Sequence, residues 1–349
     1  MEKEIFLNIS FYLRENTKWA PASHEVAWFQ HQVSTQTKAQ HLEAHTQASP
    51  KPSSAVSINS SRTTVSVTSG GWGITFDRVR GYITKWSGSQ GDVLEIEPKT
   101  KAAIFPCFWR APTDNDKDGA VKVWKDYGVH RMTSQLRSFE TLQDPDTGAV
   151  TITTQAWLAP PVLGWGYDVR TDYTVTCSGA LFIKVDMTPK GSTPTDIPRL
   201  GLNLRLPKHL SQASWFGRGP GESYPDKFTS QRIGVWSSPV DGLETPYDVP
   251  QENGNRMDTR WVRLEQPNGS GLRVSRRDEN VFNWTGTRLS AETIENAKHP
   301  CDLVREEATL LNLSPLVAGV GSATCGPGVR EDLKVKVEPI TFEFLLEMI

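Results

Sequence analysis

Apolar and polar residues alternate along much of this chain. Ile5, Leu7, Ile9, Phe11 and Leu13 occupy every second position, with Asn8, Ser10 and Arg14 among the residues between and after them. The same period runs through Leu181-Ile183-Val185-Met187, Leu202-Leu204-Leu206, Leu333-Val335-Val337 and Ile340-Phe342-Phe344-Leu346. A period of two sends successive side chains to opposite faces, so these segments read as half-buried antiparallel strands. Helical periodicity is scarce, and only residues 122–127 and 291–298 predict short helices. Many strands separated by Gly, Pro, Asn and Asp turns predict an all-β protein, a large antiparallel β-sandwich with a short N-terminal strand segment packed on it.

Between Gln36 and Thr63 the pattern gives way to Gln, Ala, Ser, Pro and Lys, including Ala48-Ser49-Pro50-Lys51-Pro52-Ser53-Ser54. That composition predicts an exposed linker over 36–62. It separates a segment, 1–35, too short to fold alone from a sandwich body spanning 63–349.

Composition narrows the function classes. In 349 residues, 38 Lys+Arg against 40 Asp+Glu give a formal charge of −2, which argues against a nucleic-acid partner or an acidic membrane surface. No apolar run approaches the roughly 20 residues of a spanning helix. Cys107, Cys177, Cys301 and Cys325 form no C-x-x-C pair, so neither a zinc site nor a redox motif is expected. The N-terminus lacks the apolar core of about 7–15 residues that marks a secretory signal, which predicts a cytoplasmic protein with reduced thiols. The N-x-[ST] matches at Asn8, Asn59, Asn268, Asn283 and Asn312 then read as chance. The odd figure is 12 Trp. Trp fills cores and also stacks on sugars and bases, so the count alone decides nothing.

Candidate chemistry is sparse. Asp114-Asn115-Asp116-Lys117-Asp118-Gly119 opens like a calcium loop, but Lys125 holds the twelfth position where a bidentate Glu is needed, so a solvated turn is expected. Glu222 and Glu252 lie in Gly/Pro-rich loops. A glycosidase needs two carboxylates about 5–5.5 Å apart if retaining; the structural alternative is that they cap turns or accept from Arg218, Arg232 or Arg256. His41 and His45 have H-x-x-x-H spacing, yet Leu42 stands where a zincin has Glu and no third ligand is in sight. No metal site and no cofactor are expected. The Gly-rich run from Gly319 to Gly328 precedes no clear helix, so it is no phosphate loop; with its thiol it either lines a pocket or connects strands.

Several motifs occur in one order: Trp19 through Gln30, Phe76-Asp77 through Gly81-Tyr82, and Phe108-Trp109-Arg110-Ala111-Pro112-Thr113-Asp114-Asn115-Asp116. Trp215-Phe216-Gly217-Arg218-Gly219-Pro220-Gly221-Glu222-Ser223-Tyr224-Pro225-Asp226 follows, then Thr245-Pro246-Tyr247, Pro250-Gln251-Glu252-Asn253-Gly254 and Gly319-Val320-Gly321. From about Val65 the chain resembles the last, small-chain domain of family 2 β-galactosidases, and residues 19–30 resemble the end of the immunoglobulin-like domain before it. The resemblance implies a supersandwich similar to galactose mutarotases. It also implies that the catalytic glutamates belong to a barrel absent here, so neither Glu222 nor Glu252 inherits that role. In many members one loop of this domain brings a tryptophan to the substrate; Cys325 stands at that position, as in the yeast-like branch. Two departures stand out: Ser314-Pro315 where the family commonly has an Asp, and the truncated immunoglobulin-like domain.

Three functions follow. The first is a β-galactosidase small chain, not a glycosidase alone, offering Cys325 to the galactoside pocket of a barrel-bearing large chain. The second is a stand-alone isomerase or cyclase whose groove, lined by Trp109, Trp215, Trp284 and Tyr224, folds an apolar metabolite. The third is a galactoside-binding module. The expected small-molecule contacts are Cys325, Trp109, Trp215, Tyr224, Glu222 and Trp284; no catalytic residue is assigned.

Overall fold

A computed structural model of the chain describes residues 4–35, 56–276 and 280–349. It divides into two compact units, Met1–Pro52 and Ser53–Ile349. In the smaller unit the first alternating run forms the strand Glu4–Tyr12, paired antiparallel with Glu25–Thr35. The register sets Leu7 opposite His31, Ile9 opposite Phe29 and Phe11 opposite Ala27. Ile5, Leu7, Ile9, Phe11 and Phe29 therefore share one face, and each is between 42% and 58% exposed. A two-stranded ribbon has no second layer of its own to cover such a face.

The larger unit is built on a nine-stranded antiparallel sheet. Its spatial order is Arg232–Pro239, Gln212–Gly219, Trp261–Glu265, Gly271–Ser275, Ile340–Met348, Leu181–Gly191, Trp165–Val175, Val150–Ala159 and Thr133–Gln143. A five-stranded sheet runs Arg256–Thr259, Phe282–Thr287, Ala308–Val317, Arg199–Pro207 and Ile104–Cys107. The period of two assigns the faces. Leu202, Leu204, Leu206, Leu311, Leu313, Phe282 and Trp284 point into the common core, whereas Asn203, Arg205, Leu310, Asn312, Thr285 and Thr287 take the opposite face. Between the two sheets Phe282 meets Phe344 edge-on at 5.5 Å, and Trp215 meets Trp284 at 5.4 Å. These contacts make the expected all-β sandwich. A second five-stranded sheet, from Ser57–Ser60 to Gly91–Leu94, adds Val65, Val67, Ile74, Phe76, Ile83 and Trp86 to the same core.

Two expectations need correction. The linker expected over 36–62 ends early: Ser57–Ser60 is an edge strand paired with Thr64–Ser69, because Ile58 and the hydroxyls around it suit a half-covered edge. Residues 36–55, with His41 and His45, lie outside the described residues. The Leu333-Val335-Val337 alternation yields only Val335–Lys336 as strand, since Glu331–Leu333 closes a 3-10 turn. The helices fall near their expected places, at Ala120–Asp126 and Ala291–Asn296, and a further short one spans Asp114–Lys117.

Trp215 and Trp284 are 1% and 0% exposed, so replacing either by Ala removes interlayer packing rather than a ligand contact. Trp215→Ala should lower the unfolding free energy by about 3–5 kcal/mol, read as a reduced urea midpoint.

Candidate functional site

The calcium-like run forms a capped helical turn in which Asp116 is buried while Lys117, Asp118 and Gly119 are exposed. Thr113 Oγ1 accepts from the Asp116 amide at 3.1 Å, and Asp116 Oδ2 accepts from the Thr113 amide at 2.9 Å, closing a capping box. Arg110 Nε and Nη2 donate to the two Asp116 oxygens at 3.2 and 2.8 Å, and the side chains are 0% and 2% exposed. Both Asp116 oxygens are thus occupied by protein donors. The rest of the Arg110 fork donates to the Ala318 and Gly319 carbonyls at 2.9 Å each. A planar five-donor guanidinium can satisfy a carboxylate and two carbonyls at once, which is why Arg suits this position.

The same motif grips the Gly-rich loop. Asn115 Nδ2 donates to the carbonyls of Val320 and Gly321 at 3.0 and 2.8 Å, and its Oδ1 accepts from the Thr324 amide at 3.1 Å. Asp226 accepts from the amides of Val320 and Gly321 at 2.9 and 2.7 Å. Gly319 permits this approach, because a Cβ there would sit 2.4 Å from Asp226 Oδ2. Beyond the clamp, Ser322 accepts from the Cys325 and Gly326 amides at 3.0 and 2.6 Å, which leaves Cys325 exposed on a loop held at its base.

The two glutamates serve different neighbours, and none of the expected arginines. Glu222 is buried; Oε1 accepts from Lys227 Nζ and the Tyr247 hydroxyl, each at 2.5 Å, and Oε2 from the Gly254 amide at 2.8 Å. Glu252 Oε1 accepts from Arg199 Nη2 at 2.6 Å and the Tyr224 hydroxyl at 3.4 Å. Burial, joined by the Glu252 and Glu222 charges, holds the Tyr224 phenol well above its ordinary value, so it stays a donor. Arg256 instead bridges loops, donating to the carbonyls of Leu243, Gly254 and Pro220 at 2.8, 2.6 and 3.2 Å while lying 5.4 Å over Trp215. Burial pushes its guanidinium down to about 10, still charged at neutral pH.

A cleft of about 260 Å³ opens on the outer face of the five-stranded sheet. Trp109, Arg199, Asn203, Glu252, Thr285 and Asn312 are among its lining residues. Of the expected contacts, Trp109 alone lines it. Trp215, Trp284 and Tyr224 are core residues, Glu222 is enclosed by its donors, and Cys325 sits on its own loop. The apolar groove expected from Trp109, Trp215, Trp284 and Tyr224 is therefore not assembled: strand alternation turns Trp215 and Trp284 towards each other across the layers. Arg199, Asn203 and Thr285 escaped sequence reading, because only strand pairing sets them side by side.

Two outcomes follow. Asp226→Ala should speed hydrogen exchange at Val320 and Gly321 by at least about tenfold, since each amide loses a bond to a charged acceptor worth roughly 1.5–3 kcal/mol. For Glu222, burial raises the carboxyl, but the hydrogen bonds from Lys227, Tyr247 and Gly254 outweigh it and hold the group below its ordinary 4.5. A depressed carboxylate stabilises fully above its unfolded value and loses that contribution as pH falls through the folded one. Urea midpoints should accordingly drop on acidification below about pH 4.5, and less steeply in Glu222→Gln.

Comparison with known proteins places these motifs. The model for the β-galactosidase small chain matches residues 68–346, and that for β-galactosidase domain 4 matches residues 1–34. The β-galactosidase of Kluyveromyces lactis is 30% identical over 338 residues, covering 95% of this chain and 31% of that protein. That of an Arthrobacter species is 28% identical over 367 residues, covering 97% and 33%. The chain spans about a third of the length of these curated relatives. Among solved structures, a galactose mutarotase related enzyme from Lactobacillus acidophilus is 9% identical with a TM-score of 0.41, covering 84% of this chain and 97% of that one. With the small-chain match running through the Arg110–Asp116 clamp, both glutamate loops and the Cys325 loop, the chain belongs to the β-galactosidase small-chain family.

Proposed function

We propose that this protein is a non-catalytic small chain that completes a β-galactosidase by joining a barrel-bearing large chain. The observation that carries the reading is the open apolar face of the hairpin Glu4–Tyr12 and Glu25–Thr35, in the segment matched by domain 4. Five large apolar side chains exposed on one ribbon face call for a covering layer. In this reading the large chain supplies the layer that covers the ribbon within the segment matched by domain 4. The Cys325 loop then reaches the galactoside pocket of the partner, held in shape by Arg110, Asn115 and Asp226.

A clamped loop suits that task, because a segment ordered before docking loses less conformational entropy on binding. Four free thiols agree with a reducing, cytoplasmic setting. Among the described residues no helix is long and apolar enough to cross a membrane.

The test is hydrolysis of a chromogenic galactoside by this chain, by a barrel-bearing large chain, and by both co-expressed. The chain alone should be inactive, and the mixture should exceed the large chain alone by at least about tenfold. Ile9→Asp, on the open face, should abolish that gain while leaving the unfolding of the larger unit unchanged. A mixture no more active than the large chain by itself would sink the proposal.

A further inference from the structure

The cleft on the outer face of the five-stranded sheet has the chemistry of a binding site in its own right. Its floor is a register row. Phe105 pairs with Asn203, Asn203 with Asn312, and Asn312 with Thr285, so the four residues lie side by side across adjacent strands on one face. Neighbouring strands are about 4.8 Å apart, so the row presents its amide and hydroxyl groups at that interval. Asn312 is fully engaged: its amide donates to Asn203 Oδ1 at 2.8 Å, and its oxygen accepts from Ser314 Oγ at 2.5 Å. That bond orients the Asn203 side chain, which is exposed to the cleft. The Thr285 hydroxyl has no hydrogen-bond partner among the described residues.

One wall carries a buried carboxylate with an unused oxygen. Glu252 is 8% exposed and lines the cleft. Its Oε1 is taken by Arg199 and Tyr224, whereas Oε2 has no partner among the described residues. That oxygen is left to accept a ligand hydroxyl from the cleft. On another wall stands Trp109, whose ring is fixed in advance. Its Nε1 donates to Glu295 at 3.2 Å, and it packs against Trp124 and His130 at 6.2 and 5.4 Å between centroids.

The charges narrow the ligand class. Arg199 is paired with Glu252, Arg205 with Glu97 and Glu306, and Lys99 with Glu292. Each of these cations is paired with a carboxylate and the lining adds Glu244, which disfavours an anionic ligand, while Arg199 Nε, buried without an acceptor among the described residues, is left to donate to a neutral ligand oxygen. Polar groups around a fixed aromatic ring suit a molecule with many hydroxyls and apolar C–H faces. The volume, about 260 Å³, lies just below the roughly 300–1,000 Å³ of drug-sized pockets, which favours one ring over a chain. We propose that this cleft binds a neutral polyhydroxylated ligand of monosaccharide size, with Glu252 Oε2 and Thr285 as hydroxyl partners and Trp109 as the stacking surface. The site is separate from the Cys325 loop and needs no second chain.

The experiment is ligand-observed saturation-transfer NMR on the full chain alone, with D-galactose and D-glucose as probes and spermidine as a cationic control. Wild type should transfer saturation to at least one sugar and compete between the two. Thr285→Val, nearly isosteric, should weaken sugar binding by about five- to tenfold, the loss of one buried hydrogen bond. Trp109→Leu should weaken it further, whereas Val235→Ala, exposed on the edge strand Arg232–Pro239 outside the cleft, should leave it unchanged. Absence of transfer to either sugar at millimolar concentration would overturn the proposal, as would transfer unaffected by Thr285→Val or stronger transfer to spermidine than to either sugar. Because no large chain and no hydrolysis enter the measurement, these outcomes are independent of whether the chain completes a β-galactosidase.

Discussion

The Arg110–Asp116 pair is the contact on which the surface of this molecule depends. It is a fully buried bidentate ion pair, and an isolated charge of either sign could not remain in that place. Each partner is also committed elsewhere, Asp116 to the cap at Thr113 and Arg110 to the carbonyls of Ala318 and Gly319. One interaction thus joins a short helix to a loop two hundred residues away in sequence. Asn115 and Asp226 then build on that junction, and the exposed tip at Cys325 inherits its order from a buried base.

Buried arginines recur as organisers of the loops. Arg110, Arg199 and Arg256 are each at most 4% exposed, and each ties backbone or carboxylate groups from segments that have no regular structure. Loops carry unpaired carbonyls that water would otherwise satisfy, and a planar fork can satisfy two or three of them without water. The Gly/Pro-rich loops of Glu222 and Glu252 are joined this way through the carbonyls that Arg256 binds and the Gly254 amide that Glu222 accepts. What resembled a pair of acid/base carboxylates is one closed structural cluster and one half-open wall. The difference lies in Oε2 of Glu252, which has no donor among the described residues.

Much of the architecture could be read directly from residue order. Alternation located the strands Glu4–Tyr12, Leu181–Gly191, Arg199–Pro207 and Ile340–Met348, because a period of two has only one regular backbone solution. The same rule failed at Leu333-Val335-Val337, where the pattern was present but most of the segment turned instead. Motif order was equally legible and identified the family. Trp content was not, since the most conspicuous candidates, Trp215 and Trp284, met in the core.

By itself the sequence determined the strands, the all-β class, the family and the presence of an apolar N-terminal ribbon, all of which depend on local periodicity or contiguous motifs. The tertiary structure alone decided which polar groups stand together. Asn203, Asn312 and Thr285 are far apart along the chain and share a row only through antiparallel register, a property of pairs of strands rather than of either one. Arg199 meets Glu252, and Asp226 meets the Gly-rich loop, for the same reason: non-local contacts are set by how the layers close. The tryptophans that composition singled out were therefore sorted by strand face, two into the core and Trp109 onto the wall of a polar cleft.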